Sequence, residues 1–449
     1  MHTLFSLITQ IGDFLWTLPM LILLIGTHLY FTFRLSFIQK KTFLGIRLSL
    51  KGSQGEGELS PYEALSTSLA ATIGTGNIIG ISTAIAIGGA GAVFWCWLTG
   101  VFGIATSYAE SFLCVKYRRR EADGSYVGGP MYVLRDVLHL RWLAGLFALF
   151  AMLAAFGVGS SVQAQSICTA LRQYVPLSPH LIGMGLSMLA GCVLLGGVRQ
   201  ISKVCACLVP FMSLFYLSGC AYLLIANRRY LASSLFYILK SAFCGDALLG
   251  GISGQAALWA VRIGVSRGLF TNEAGLGSLP MSAAAARCQS PVTQALISMT
   301  GTFWDTVVIC AVTGLVIVSS MQREPALFTG ARPEQLCSLA FGLIPGCGSA
   351  VLSIALILFA FATILGWCYY GECGVRFLCK EKGIRNFRIL YLVFLYIGSI
   401  SSLHFVFALS DLLNALMAMP NLLALFALRK TIRADTAAYF SGQKCGTRS

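Results

Sequence analysis

The sequence predicts an all-α integral membrane protein of about eleven transmembrane helices, arranged as five plus five with one extra helix in front. Three observations carry that reading. Of 449 residues, 57% are hydrophobic and only 11% are charged, with a mean hydropathy of +0.77. An ordinary soluble domain carries about 25% charged residues, and so few charges could not cover so much apolar surface in water. Second, windows of about 19 residues give eleven apolar segments. Third, two of those segments are interrupted by glycine clusters at corresponding places.

The segments lie near 14–34, 62–88, 91–115, 143–171, 181–198, 203–226, 247–286, 291–320, 348–375, 389–405 and 408–428. Met1–Asp13 carries no Lys or Arg, and no small-residue cleavage site follows. The first segment therefore reads as a retained span and not as a signal peptide. Twenty-four of the 32 Lys and Arg lie at the odd-numbered loops and the C-terminal tail, six lie at the even-numbered loops, and Arg262 and Arg267 lie inside a span. Basic loops stay cytoplasmic. The tail, 429–449, is thus expected inside and the N-terminus outside, in the cell (inner) membrane of a prokaryote. The net charge of +15 is explained by this placement and by lipid contact, not by nucleic acid. The chain reads as one transporter domain, with 14–34 in front, 62–226 as the first repeat and 247–428 as the second. In the loops, Ser60-Pro61 followed by Glu63 predicts a capped helix start.

The 16 Cys lie singly in apolar runs and the five His are scattered, so neither predicts a metal centre. Cys337 and Cys347 flank a loop expected outside, where a disulfide can form.

The first interrupted span contains Ile73-Gly74-Thr75-Gly76-Asn77-Ile78-Ile79-Gly80. The second contains Gly268-Leu269-Phe270-Thr271-Asn272-Glu273-Ala274-Gly275-Leu276-Gly277-Ser278. Gly costs about 1 kcal/mol in a helix interior, and Asn and Thr offer the backbone other hydrogen bonds. Unwound backbone at membrane depth survives only where protein or a water-filled cavity satisfies it. Gly-interrupted segments in matching positions of two halves point to a secondary-transporter site. Half-helix N-termini there suit a carboxylate, and freed carbonyls suit a cation such as Na⁺. The alternative is a close-packing glycine stripe.

Glu110, Asp246, Arg262, Arg267, Glu273, Asp305 and Glu372 lie within or at the ends of spans. Each needs a partner or a cavity. Glu273, beside Thr271 and Asn272 in the second break, is expected to cap freed N–H groups or gate the path. Gly74-x-Gly76 lacks the βαβ unit of a dinucleotide loop. Gly264-Val265-Ser266-Arg267-Gly268 matches a nucleophile elbow but lies in an apolar helix. Neither supports an enzyme.

At GTGNI (74–78), GGAGAVFWCW (88–97), GGPMY (128–132), RGLFTNEAGLGS (267–278), Asp305-Thr306 and FAFATILGWCYYG (359–371), the chain resembles the alanine or glycine:cation symporters, also called sodium:alanine symporters. The similar spacing runs from about residue 14 to 428. This resemblance implies the LeuT-like five-plus-five inverted repeat and Na⁺-driven uptake of a small neutral amino acid, with no organic cofactor. It implies substrate contacts from Thr75, Gly76, Asn77, Gln163, Phe270, Thr363 and Trp367. It implies a Na⁺ site from Ala70, Ile73, Phe359, Ala362 and Thr363. Where the family usually carries a hydroxyl this chain has Ala362, which removes one oxygen ligand and leaves H⁺ coupling or another small amino acid as the alternative.

Overall fold

The structure, a computed structural model, describes residues 10–11, 15–16, 18–51, 55–122, 124–244, 253–401 and 404–442. Each of the eleven expected spans is helical within those residues. They are α1 (Leu18–Arg34), the broken pair α3 (Pro61–Thr72) and α4 (Ile79–Gly88), α5 (Gly91–Lys116), α7 (Arg141–Arg172), α8 (Pro179–Leu194), α9 (Gly197–Ala226), α11 (Ser253–Asn272), α13 (Pro291–Arg323), α15 (Gly348–Cys379), α16 (Ile384–Ile400) and α17 (His404–Ala427). Asp246 lies outside the described residues.

The connections hold more structure than the sequence predicted. Between spans lie α2 (Thr42–Ser49), α6 (Pro130–Asp136), α10 (Leu231–Cys244), α12 (Pro280–Ala284), α14 (Leu336–Gly342) and, in the expected tail, α18 (Arg429–Phe440). A short antiparallel hairpin pairs β1 (Arg119–Arg120) with β2 (Tyr126–Val127). These helices are too short or too polar to register in a window tuned to membrane spans. The run from Ile38 through α2 is bent 68° from α1, and α18 is bent 60° from α17. Cys337 and Cys347, for which the sequence left a disulfide open, are free thiols, the first buried in α14 and the second exposed.

Ser60 starts α3 as expected. Its hydroxyl accepts from the Glu63 N–H, and the Glu63 carboxylate accepts from the Ser60 N–H at 2.7 Å. That pairing satisfies two of the orphan donors at the helix start. Elsewhere, small residues let helices approach closely. A Cβ at Gly264 would lie 2.3 Å from the Ala92 carbonyl oxygen, and one at Gly268 would lie 2.9 Å from that of Cys96. The stretch that resembles a nucleophile elbow is therefore a stripe seating α11 on α5.

The core gathers where α3, α5, α7, α11, α13 and α15 meet. The 32-residue α15 crosses this centre, with Phe359, Ala362, Trp367 and Cys368 at 0% exposure. Both α7 and α13 contain a π-helical stretch facing the centre, Ala155–Ser161 and Phe303–Cys310.

Gly264→Leu forces a side chain into the Ala92 backbone, an overpacking that costs about 1–3 kcal/mol. The variant should melt several degrees lower in detergent. Gly145→Ala, where the space beyond the backbone is open, should melt as the wild type does.

Candidate functional site

The first break begins where α3 stops at Thr72. Ile73 and Gly74 are extended, Thr75–Asn77 form a 3₁₀ turn, and the two halves meet at 59°. Asn77 organises this turn. Its Oδ1 accepts from the Gly74 N–H at 2.9 Å, and its N–H donates to the Gly74 carbonyl at 3.2 Å. In a continuous helix those N–H groups, of Gly74 and Asn77, would serve the carbonyls of Ala70 and Ile73. Their diversion releases the two carbonyls assigned to the Na⁺ site.

The second break begins at Asn272, where α11 ends. Glu273 takes a left-handed conformation with φ 53°, and Gly275 and Gly277 follow at φ 95° and 81°. Left-handed backbone is costly for a residue with a Cβ, so Glu273 must be held. Its carboxylate accepts from the Ser278 hydroxyl at 2.5 Å and from the Trp367 indole N–H at 3.1 Å. Asn272 Oδ1 accepts from the Ala274 N–H at 3.0 Å. No Cβ fits at Gly275 or Gly277, which press on Leu24 and on Pro130 and Asn421.

Most of the residues expected to bind substrate meet at the first break. Thr75 Oγ1 donates to Gln163 Oε1 at 3.3 Å. Gln163 Nε2 in turn donates to the Val158 carbonyl at 3.1 Å, a five-residue reach made by the π-turn of α7. Gly76 faces Thr271 and Phe270, both close to where its Cβ would stand. Gly76 and Phe270 are half-buried, while Thr75 and Gln163 are buried. The break thus brings Thr75, Gly76, Gln163, Phe270 and Thr271 to one place.

Two of the expected residues have side chains committed within the protein. The Asn77 amide turns away from Gln163 and donates to Asp305 Oδ1 at 2.6 Å, on the π-turn of α13. Asp305 Oδ2 accepts from Thr306 at 2.7 Å. Asn77 at 0% exposure therefore shapes the break with its side chain. Trp367 is also at 0% exposure. A Cβ at Gly159 would come within 2.2 Å of it, and its N–H is committed to Glu273.

The residues expected around Na⁺ lie on α3 and its end and on α15, and these two helices approach closely. A Cβ at Gly74 would lie 2.7 Å from Thr363 Oγ1, and one at Gly366 would lie 2.6 Å from the Ala71 nitrogen. Thr363 donates to the Phe359 carbonyl at 3.0 Å and keeps its lone pairs free. Ala70, Ile73, Phe359 and Ala362 are all buried. One hydroxyl and two released carbonyls are hard oxygen donors suited to an alkali cation, while the Ala362 methyl contributes none.

Sequence reasoning left the buried acids without partners, because the partners come from distant helices. Glu110 pairs with Asn421 of α17, Asp305 with Asn77, and Glu273 with Trp367. Glu372 accepts two bonds from Arg388, at 2.6 and 2.8 Å. Arg262 stacks on Trp259 with its guanidinium carbon 5.2 Å from the ring centre.

α14 packs on α4, the second half of the first broken span, and the Cys337 N–H donates to Ser82. A small cleft elsewhere is lined by Glu58, Tyr126, Tyr132, Tyr369, Glu372 and Arg376. The Tyr369 hydroxyl donates to the Met281 carbonyl of α12 at the cleft wall.

The description "Sodium:alanine symporter family" matches residues 1–449 in full. This chain belongs to the sodium:alanine symporter family. It is 41% identical over 445 residues to the sodium/alanine symporter AgcS of Methanococcus maripaludis, covering 97% of both chains. It is 35% identical over 440 residues to the "Probable sodium/glutamine symporter GlnT" of Bacillus subtilis, covering 97% of this chain and 90% of that one. Among solved structures it resembles MhsT in complex with L-phenylalanine, at TM-score 0.59 and 15% identity, over 87% of this chain and 94% of that one. The fold is the LeuT-like one, the protein is a multi-pass membrane transporter of a symporter family, and it is not an enzyme.

Removing the Asn77 amide strips partners from Asp305 and from the Gly74 N–H. A buried group left unpaired costs about 1–3 kcal/mol. Asn77→Ala should therefore lower the melting temperature in detergent without any ligand present, in addition to any loss of binding.

Proposed function

We propose that the protein is a Na⁺-coupled symporter of alanine and/or glycine that works by alternating access. The observation that carries this reading is the first break itself. It takes the helical partners from the carbonyls of Ala70 and Ile73 beside the Gly74–Thr363 contact, and it sets the turn at Thr75 and Gly76 against Gln163 and Phe270.

In this reading the substrate carboxylate rests on N–H groups near Thr75, Gly76 and Asn77. Gln163 and freed carbonyls take the ammonium. Phe270 and Trp367 bound a small space that favours Gly or Ala over larger side chains. Na⁺ sits among the carbonyls of Ala70 and Ile73, Phe359 and the Thr363 hydroxyl. Because Gly74 lies against Thr363 while Thr75 contacts Gln163, an ion that orders the turn also orders the substrate contacts. That arrangement gives positive coupling between the two ligands.

The basic loops support a cytoplasmic side for the cleft at Tyr126 and Arg376 in the inner membrane, with the C-terminus inside and the N-terminus outside. The cleft is then the route of release, and α14 closes the outer side. The two halves, 62–226 and 247–428, rock around the paired breaks. The name of the relative GlnT shows why the substrate needs direct measurement. Ala362 supports a second reading, in which H⁺ replaces or supplements Na⁺.

Uptake of labelled alanine and glycine into proteoliposomes, with an inward Na⁺ gradient against an equal K⁺ gradient, tests the proposal. Uptake only with Na⁺ is expected. Equal uptake in both, abolished by an H⁺ ionophore, would transfer the coupling to H⁺.

Ala362→Ser restores a hydroxyl beside Thr363. The Na⁺ concentration for half-maximal uptake should fall several-fold, while Thr363→Val should raise it at least tenfold. An unchanged Na⁺ dependence in both variants would remove this site from the mechanism.

A further inference from the structure

The acid at Glu110 has no part in the substrate or Na⁺ sites, yet it lies against the second break. It is on α5, 2% exposed and at membrane depth. Asn421 Nδ2 of α17 donates both to Glu110 Oε1 and, at 2.9 Å, to the Gly275 carbonyl of the break. One amide thus ties the acid to the unwound backbone. The carboxylate also faces the Gly275 and Gly277 N–H groups of the break. Glu110 and Asn421 line a small cavity, walled by Cys114, Pro130, Val133 and Leu425.

The groups facing this acid from each neighbouring element offer no cation. On α5, the Cys114 thiol donates to the Pro280 carbonyl of α12. On α1, His28 is bonded through Nδ1 to Thr106, a turn away from Glu110 along α5. Across the break stands Glu273, a second acid. At the far end of α5, Lys116 is paired with Asp435 of α18. Among the described residues no Lys or Arg is bonded to Glu110. An unpaired carboxylate in such surroundings costs several kcal/mol, and the cavity walls supply no oxygen cage for a metal ion. A proton is the cation the cavity accommodates.

We infer that Glu110 is a proton-binding site that biases the second break, separate from the residues proposed for alanine and Na⁺. The proton adds to the Glu110 carboxylate from water in the cavity, and its release returns it there; no other bond changes. The ionised form holds the Asn421 amide firmly, and with it the Gly275 carbonyl. The neutral form accepts a weaker bond from Asn421 and loosens the clamp on the break. External or internal pH then sets how readily the break rearranges, whichever ion drives transport.

Infrared difference spectra of the purified wild type in lipid, recorded against pH, test the site without using transport. The carbonyl band of a protonated carboxyl should appear with falling pH. A titrating component of it should be lost in Glu110→Gln and retained in Asp305→Asn and Glu273→Gln. Asn421→Ala removes the donor that favours the charged form, so the midpoint should move to higher pH. A band unaltered by Glu110→Gln, or one that does not titrate, overturns the inference. The functional arm is the pH profile of Na⁺-driven alanine uptake. Glu110→Gln should flatten it, and a profile that stays as steep as the wild type's overturns the coupling to the break. Absence of alanine uptake in the wild type would instead count against the proposed substrate, and the infrared result would stand.

Discussion

Every peptide N–H and C=O at membrane depth must find a partner inside the protein, because the lipid offers none. This protein breaks that continuity twice, and the structure around each break follows from repairing it. Side-chain amides and carboxylates replace the missing helical bonds. Asn77 closes the first break on itself, and Asn272, Glu273 and Asn421 hold the second. The repair is selective. The N–H groups of Gly74 and Asn77 are captured, while the carbonyls of Ala70 and Ile73 lose their helical partners. Oxygens left without donors inside a membrane protein are where a cation is best accommodated.

The same constraint explains why α7 and α13 carry π-turns. A π-turn widens the helix and shifts side chains that would otherwise point elsewhere. In α7 it allows Gln163 to reach the Val158 carbonyl while its oxygen accepts from Thr75. In α13 it places Asp305 and Cys310 against Asn77 and Thr271. Each break is therefore braced by a helix that is itself locally irregular. Close glycine contacts, such as Gly159 on Trp367 and Gly398 on Ser161, bring these irregular stretches within reach.

Much of the fold was legible because membrane burial writes strong signals. Apolar windows located helix in all eleven segments, six to nine of which are, among the described residues, long and apolar enough to cross a membrane, and glycine next to Asn and Thr located both breaks. The capping of α3 was readable from Ser60, Pro61 and Glu63. The short helices α2, α6, α14 and α18 were not, because tertiary contact and not apolarity holds them. The substrate and ion residues came from family motifs, and the geometry now groups Thr75, Gly76, Gln163, Phe270 and Thr363 about one turn. What spacing could not supply is pairing across the chain. Asn77 and Asp305 are 228 residues apart, and Glu110 and Asn421 are 311 apart. Nothing local distinguishes an Asn that binds a ligand from one that holds a neighbouring acid. In Asn77 the two tasks divide between the backbone N–H groups of its turn and its amide.

The two breaks are physically joined by α15. Phe359, Thr363 and Trp367 are spaced by four, so they share one face of a single continuous helix. Thr363 stands against Gly74 in the first break, and Trp367 holds Glu273 in the second. In the proposed reading, a cation that draws Thr363 toward the carbonyls of α3 acts on the helix face that also carries the Trp367 indole, and through it on the left-handed Glu273 that shapes the second break. The two halves are hydrogen-bonded to each other through Asn77 with Asp305 and through Asn421 with Glu110, so a rearrangement of one half displaces bonds anchored in the other.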